Sequence, residues 1–284
     1  MERERWDRLY ALILKLGKSF RSGWKYPTTT IAAIHFWAVG HDRPTAWACR
    51  RANWPACLPW RSLPPQDRMS RRLKTSAVRG LLAAVEAALR AEPEPIKAID
   101  SKPLVVGICS KDREARWGRV TGGCAVRGYK LHALWDGGTL PIAWWITAMN
   151  VQDGVGGRPL LERLTGRGRV LGDGQYDQNV NYELAAAHGH QLIAMPRRRG
   201  AGRGHRPQSP HRLRGLRLAQ RRRRWLRTLR SRIELHFAGL TSFGGGLHGL
   251  PPWVRGLQRV TRWVQAKLIL NALRIQSLTT PANA

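Results

Sequence analysis

Apolar residues fall near helical spacing from Arg5 to Leu16, through Trp6, Leu9, Tyr10, Ile13, Leu14 and Leu16, and again from Ser76 to Ala91. Between them lie shorter helical patterns at Thr30–Val39, Thr45–Asn53 and Gln66–Lys74, separated by turn residues in a stretch rich in Trp, Pro and Arg. These segments predict a small all-helical domain of helix-turn-helix type, a DNA-binding architecture. Glu92-Pro93-Glu94-Pro95 breaks the last helix and reads as a linker.

Beyond the linker the period becomes strand-like. Ile96–Asp100 predicts a short strand ending in an acid, and Gly128–Trp135 and Thr139–Met149 predict a hairpin about the turn Asp136-Gly137-Gly138. A short helix near Pro159–Leu164, a strand at Arg169–Asp173, a helix at Val180–His188 and a strand at Gln191–Pro196 follow. This alternation predicts a mixed α/β sheet with flanking helices and functional side chains near strand ends. Leu218–Leu240 predicts a long helix, and Trp253–Leu278 a final amphipathic one that can touch DNA or a second protomer. The expected division is residues 1–92, helical and DNA-binding, and residues 93–284, an α/β domain with C-terminal helices.

Charge then narrows the partners. The 284 residues carry 49 Lys+Arg against 18 Asp+Glu, a formal net charge of +31, so a polyanion is the first partner to expect. With 43% hydrophobic residues the chain has apolar material for one or two packed domains, which excludes a mostly disordered basic tail. Of the basic residues 40 are Arg, which suits phosphate forks and is also what codon bias in a high-GC genome produces. Cys49, Cys57, Cys109 and Cys124 are too irregular for a zinc site and too sparse for a disulfide framework, and read as buried thiols of a reducing, cytoplasmic interior. The longest stretch without formal charge, Leu235–Val254, is broken by Gly244-Gly245-Gly246 and Pro251-Pro252, so no membrane partner is expected, and the N-terminus does not resemble a secretory signal.

The charge is unevenly placed. Arg197–Arg232 holds fifteen arginines and no acid, and its first half reads as a flexible basic loop. So dense a run repels itself unless an anion lies nearby, which makes Arg221, Arg222, Arg223, Arg224, Arg227 and Arg230 candidates for DNA contact, with Lys130 on the hairpin. From Ala185 to the last residue Glu234 is the single acid. A salt bridge to Arg230 one turn earlier explains a pairing, worth about 0.3–0.5 kcal/mol if exposed, but not why one acid remains. Asp100 and Asp173 stand where strands should end; each alone reads as a turn residue. Together, three carboxylates meeting at one point are unfavourable until a divalent cation fills the cluster, and oxygen ligands suit Mg²⁺ or Mn²⁺. In a basic protein such a centre suits phosphodiester cleavage or transfer, with one ion activating the nucleophile and a second stabilising the leaving oxygen.

Asp100, Asp173 and Glu234, in the contexts AIDSKPL, LGDGQYD and RSRIELHF, resemble the three acids of bacterial insertion-sequence transposases of the DDE class, whose catalytic domain is RNase H-like. Gly128–His132 with Asp136 resembles the second strand and hairpin of those enzymes, and Ile146–Asp153 the strand exit that follows. The resemblance covers about Ile96 to Gln276. Around the last Glu, such enzymes often carry a Tyr seven residues before, an Arg four before and a Lys seven after; here Arg230 matches, while Arg227 and Thr241 replace the Tyr and the Lys.

The resemblance implies an RNase H-like mixed sheet preceded by a small helical domain, with Asp100, Asp173 and Glu234 both catalytic and metal-binding, and two Mg²⁺ or Mn²⁺ ions. It also implies recognition of the element's own terminal inverted repeats, joining to target DNA, a homodimer in the DNA complex, and a bacterial cytoplasm with the protein on the nucleoid when DNA-bound. A hydrolytic RNase H-like nuclease and an inactive DNA-binding remnant are the alternatives. Trp144 and Trp145 are expected to pack in the core, Asp112, Asp136, Asp153 and Asp177 to be turn residues outside the site, and His188 and His190 to cap a helix or lie at the surface.

Overall fold

In a computed structural model the described residues are 3–20, 23–55, 62–120, 123–195, 207–242 and 246–279. The side chains of Arg223, Trp225, Arg227, Leu229, Arg230, Arg232 and Ile233 are not among those described. The expected basic loop falls mostly at 196–206, and Cys57 at 56–61, both outside the described residues. The chain forms two compact units, Met1–Arg90 with Leu240–Leu247 and Arg259–Ala284, and Ala91–Gly239 with His248–Gln258.

The first unit is helical. Helix α1 (Arg3–Gly17) buries Trp6, Leu9 and Ile13 at successive turns. Helix α2 (Thr28–Gly40) is buried almost all round, as a central helix must be. Helices α3 (Thr45–Ala48), α4 (Gln66–Arg72) and α5 (Ser76–Ala88) follow, the last capped by the Thr75 hydroxyl, which accepts from the Val78 amide. Much of the tryptophan enrichment serves this core. Trp37 stacks on Trp54 at 4.8 Å and meets Trp6 edge-on at 4.9 Å, while the Trp37 and Trp54 indole N–H groups donate to the Asn53 and Ala48 carbonyls.

The last helix, α11 (Leu257–Thr279), belongs to this unit from Arg259 onward, not to the α/β part as residues 93–284 would have it. Val260, Val264, Leu268 and Ile269 are buried, Gln265 donates to Glu86, and the buried Lys267 ammonium pairs with Asp42 from the end of α2. A helix with this much apolar surface must find a core, and contacts such as Gln265 to Glu86 cross long stretches of sequence that periodicity does not register.

The second unit is a six-stranded mixed sheet. Its strands are β1 (Ile96–Val105), β2 (Arg116–Arg119), β3 (Ala125–Trp135), β4 (Ala143–Ala148), β5 (Gly168–Gly172) and β6 (His190–Ala194). The order is β2-β3-β1-β5-β6, with β4 paired to β3 beyond β2. β1, β3 and β4 are antiparallel, whereas β1, β5 and β6 are parallel. The parallel strands are joined through helices α6 (Asp153–Gly156), α7 (Arg158–Leu161) and α8 (Asn179–Ala187), as parallel connections require. Helices α9 (Pro210–Arg221) and α10 (Arg223–Gly239) replace the single long helix expected; the break falls at Arg222, among four successive arginines. At the β1–β3 ladder, a Cβ on Gly128 would lie 2.1 Å from the Leu104 carbonyl oxygen, a backbone atom that cannot step aside. Gly128→Ala is expected to destabilise the protein by about 1–3 kcal/mol, read as a lower denaturant midpoint.

Candidate active site

Register builds the site. Parallel pairing sets Ala98 beside Leu171, the last paired residues, and Asp100 and Asp173 each follow two residues later, Asp173 being the first residue after β5. Alternation fixes their face. Ile99, its cross-strand partner Leu134 and Val170 face the core formed with Leu160, Leu161, Tyr182 and Ala185 of α7 and α8. Asp100 and Asp173 therefore occupy the opposite face, where α10 packs against β1 and β5. His236 of α10 stacks on Trp135 at 4.6 Å, and Trp135 is the cross-strand partner of Ala98.

Asp100 does not end its strand as expected; β1 runs five residues further, paired with β3 as far as Val105. It does stand just past the point where β5 leaves β1, so the sheet opens there on one side. Each aspartate is held by the backbone: an Asp100 carboxylate oxygen accepts from the Ser101 amide and one from Asp173 accepts from Gln175, both at 2.8 Å. Both carboxylates, with Asp153, help raise the pKa of the Tyr176 phenol, after burial as the larger cause, so the hydroxyl stays protonated. Two half-buried carboxylates on adjacent strands are hard oxygen donors that fit a divalent cation. Lys102, two residues along the same face, is lowered by burial. A cavity of about 580 Å³ lies toward the start of β1, lined by Ala98, Leu171, Trp135, Asp136 and His236 among others; neither Asp100 nor Asp173 lines it.

Glu234 is exposed on α10, one turn before Phe237, which is buried and meets the Trp135 ring edge-on. The convergence of three carboxylates expected from the sequence is not found: among the described residues, no group of three His, Cys, Asp or Glu side chains is placed to hold a metal ion. The backbones of Arg223, Arg227 and Arg230 lie on α10, and the expected Arg230–Glu234 pair falls outside the described side chains. Arg221, Arg222 and Arg224 are exposed. Lys130 is engaged within the protein, its ammonium 2.8 Å from an Asp153 oxygen and 2.9 Å from the Val151 carbonyl.

The other acids divide. Asp112 is buried and accepts from the Tyr129 hydroxyl and the Glu114 and Gly256 amides, and Asp136 accepts from Gly138 and Glu94 in its turn. Asp177 grips Arg212 of α9 through two 2.8 Å contacts, four residues after Asp173. Asp153, set aside in the sequence reading, acts electrostatically on the same tyrosine as Asp100 and Asp173. Its signal was the run Asp153-Gly154-Val155-Gly156-Gly157: a Cβ at Gly156 would meet the His132 ring at 2.3 Å and one at Gly157 the Tyr176 ring at 2.5 Å, so only glycine lets α6 lie so close to the sheet. Trp145 packs against the core and donates to the Gly156 carbonyl. His190 is buried, not at the surface, with its Nδ1 2.7 Å from the His188 carbonyl oxygen. Cys109 and Cys124 are exposed rather than buried, and Cys49 is half-buried.

Burial pushes the His132 imidazole, 2.8 Å from the Thr147 hydroxyl, down from 6.5 to about 4. Neutral His132 thus favours the folded state fully above pH 6.5, and that contribution is lost as pH falls toward about 4. The expected result is a denaturant midpoint that drops between about pH 7 and about pH 5, with a smaller drop in His132→Gln.

The strand order, with antiparallel β1, β3 and β4, parallel β5 and β6, and helices against both faces, is the RNase H-like architecture. The chain belongs to the transposase DDE domain family, whose profile matches residues 91–267, more than half of its length. No curated protein matches the sequence. Among solved structures, a piggyBac transposase synaptic complex with hairpin DNA, determined by cryo-EM, is similar at 13% identity with a TM-score of 0.34. That alignment covers 70% of this chain and 50% of the other, so this chain spans half the length of that transposase. Members of the DDE family use divalent metal ions. Among the described residues, no helix is long and apolar enough to cross a membrane.

Proposed function

We propose that this protein is a DNA transposase that binds the ends of its own insertion sequence, cleaves there and joins the freed 3′-hydroxyl to target DNA. The observation that supports the reading is that Asp100 and Asp173 each stand two residues past the last β1–β5 pair and both act on the Tyr176 hydroxyl, in a domain of the transposase DDE family. Asp100, Asp173 and Glu234 are the metal-binding catalytic residues in this proposal. Bound by these carboxylates, Mg²⁺ or Mn²⁺, as two ions, supplies activation of the attacking oxygen and stabilisation of the leaving one. The chain's own part is to fix the carboxylates, which the Ser101 and Gln175 amides do, and to hold the DNA backbone.

Arg221, Arg222, Arg223, Arg224, Arg227 and Arg230 are assigned to that backbone, supported by the exposure of Arg221, Arg222 and Arg224 and by the net charge of +31. Lys130, whose ammonium pairs with Asp153, is assigned to it as well. The helical residues 1–92 recognise the terminal inverted repeats, and two copies of the chain span the two ends. Incubating the protein with labelled element ends, a target plasmid and Mg²⁺ tests the reading. Joined product is expected, and chelation with EDTA should abolish it; cleaved ends without joining would instead favour the nuclease, and no cleavage the inactive remnant.

A further inference from the structure

We propose that a cavity of about 320 Å³ between the Trp24–Tyr26 segment and α4 is a binding site for an unpaired nucleotide of DNA, with its base on the Trp24 indole and its phosphate on Arg68 and Arg71. The proposal rests on the reading that this chain handles DNA and assigns one contact that the reading does not contain. The cavity is lined by Trp24, Lys25, Tyr26, Arg68, Arg71 and Arg72, together with Thr75. Four of these side chains are cationic and two aromatic, the combination that takes a nucleotide rather than a purely apolar ligand.

The local geometry explains how each group works. Arg72 is buried, donates to the Tyr26 carbonyl at 3.3 Å and to the Thr28 hydroxyl at 3.4 Å, and sets its guanidinium 5.2 Å from the centre of the Trp24 ring. A fixed cation thus steadies the indole, while Trp24 remains 64% exposed and offers surface for stacking. Arg68, Arg71 and Arg72 share one face of α4 by their spacing of three and four residues. Lys25 lies over the Tyr26 ring at 5.8 Å. Asp67 pairs with Arg71 at the surface, a contact weak enough for a phosphate to displace. A base within a duplex has both faces covered by its neighbours, so the indole selects a nucleotide that is unpaired or turned out of the stack.

Fluorescence anisotropy of the full chain with a short labelled oligothymidylate, and separately with a fully paired duplex, tests this. Trp24→Ala is expected to weaken single-strand binding about tenfold and leave duplex binding unchanged, while Trp24→Phe stays close to wild type. Equal affinity of Trp24→Ala and wild type for the single strand would overturn the proposal, as would an equal loss on both probes. The wild-type protein supplies a second measurement: photocrosslinking of a bromodeoxyuridine-containing strand should map to Trp24 or Tyr26, and crosslinks found only elsewhere would overturn the site. Asp173→Ala separates the two readings, because it should keep this binding while losing strand transfer. A wild-type protein that transfers strands yet shows no effect of Trp24 would leave the transposase reading intact and remove the pocket.

Discussion

Asp173→Ala is expected to lower DNA cleavage and strand transfer by about a thousandfold or more, while the affinity for an element end changes little. The size follows from what the residue would do. A carboxylate that holds a divalent ion supplies several kcal/mol of charge stabilisation, and water in its place restores neither the charge nor the fixed direction set by the Gln175 amide. Binding survives because the DNA backbone is assigned to arginines elsewhere in the chain. Gel-resolved transfer of a labelled end, with anisotropy on the same DNA, checks both halves; wild-type transfer by the variant would remove Asp173 from the site. Asp100→Ala should behave alike if the shared register is functional.

The second large effect is structural. Asp177→Ala is expected to destabilise the α/β unit by about 3–5 kcal/mol, because it strips the partner from a largely buried guanidinium. Arg212 makes both short contacts with Asp177, whose hydrogen bonds raise the already high pKa of the guanidinium, and α9 is tied through it to the turn that carries Asp173. Removing the carboxylate leaves a buried charge, and the Tyr182 hydroxyl also loses its 3.1 Å acceptor. Chemical denaturation should show a lower midpoint, and replacing both Asp177 and Arg212 with apolar residues should recover part of the loss. A single variant as stable as wild type would mean that the pair is not structural.

How far the sequence announced this fold depends on which residues carried the signal. Trp6, Leu9 and Ile13 at helical spacing marked α1, and the alternation around the Asp136-Gly137-Gly138 turn marked the β3–β4 hairpin. β2 escaped notice because Arg116-Trp117-Gly118-Arg119 is mostly exposed and has no apolar alternation to detect. β1 was read as ending at Asp100 because an acid there reads as a turn residue, yet the strand runs on through Pro103. Pro103 is tolerated there because β1 pairs with β5 only from Ile96 to Ala98, so no β5 residue faces it. The two aspartates were visible as strand-end acids, but their adjacency needed the parallel register, which is a property of two distant segments. The nearness of Asp153 to Tyr176 was not legible for a related reason: its place depends on glycines whose value lies in the close approach of α6 to His132 and Tyr176, and a turn-like sequence does not disclose what it turns against.

The central claim is that Asp100 and Asp173 hold one divalent ion between adjacent strands. The direct measurement is anomalous diffraction from crystals of the full chain bound to an element end and Mn²⁺. A Mn²⁺ peak about 2.1 Å from an oxygen of each aspartate is expected, with Glu234 at the same centre. A peak that touches neither aspartate, or the two carboxylates too far apart to share an ion, would contradict it.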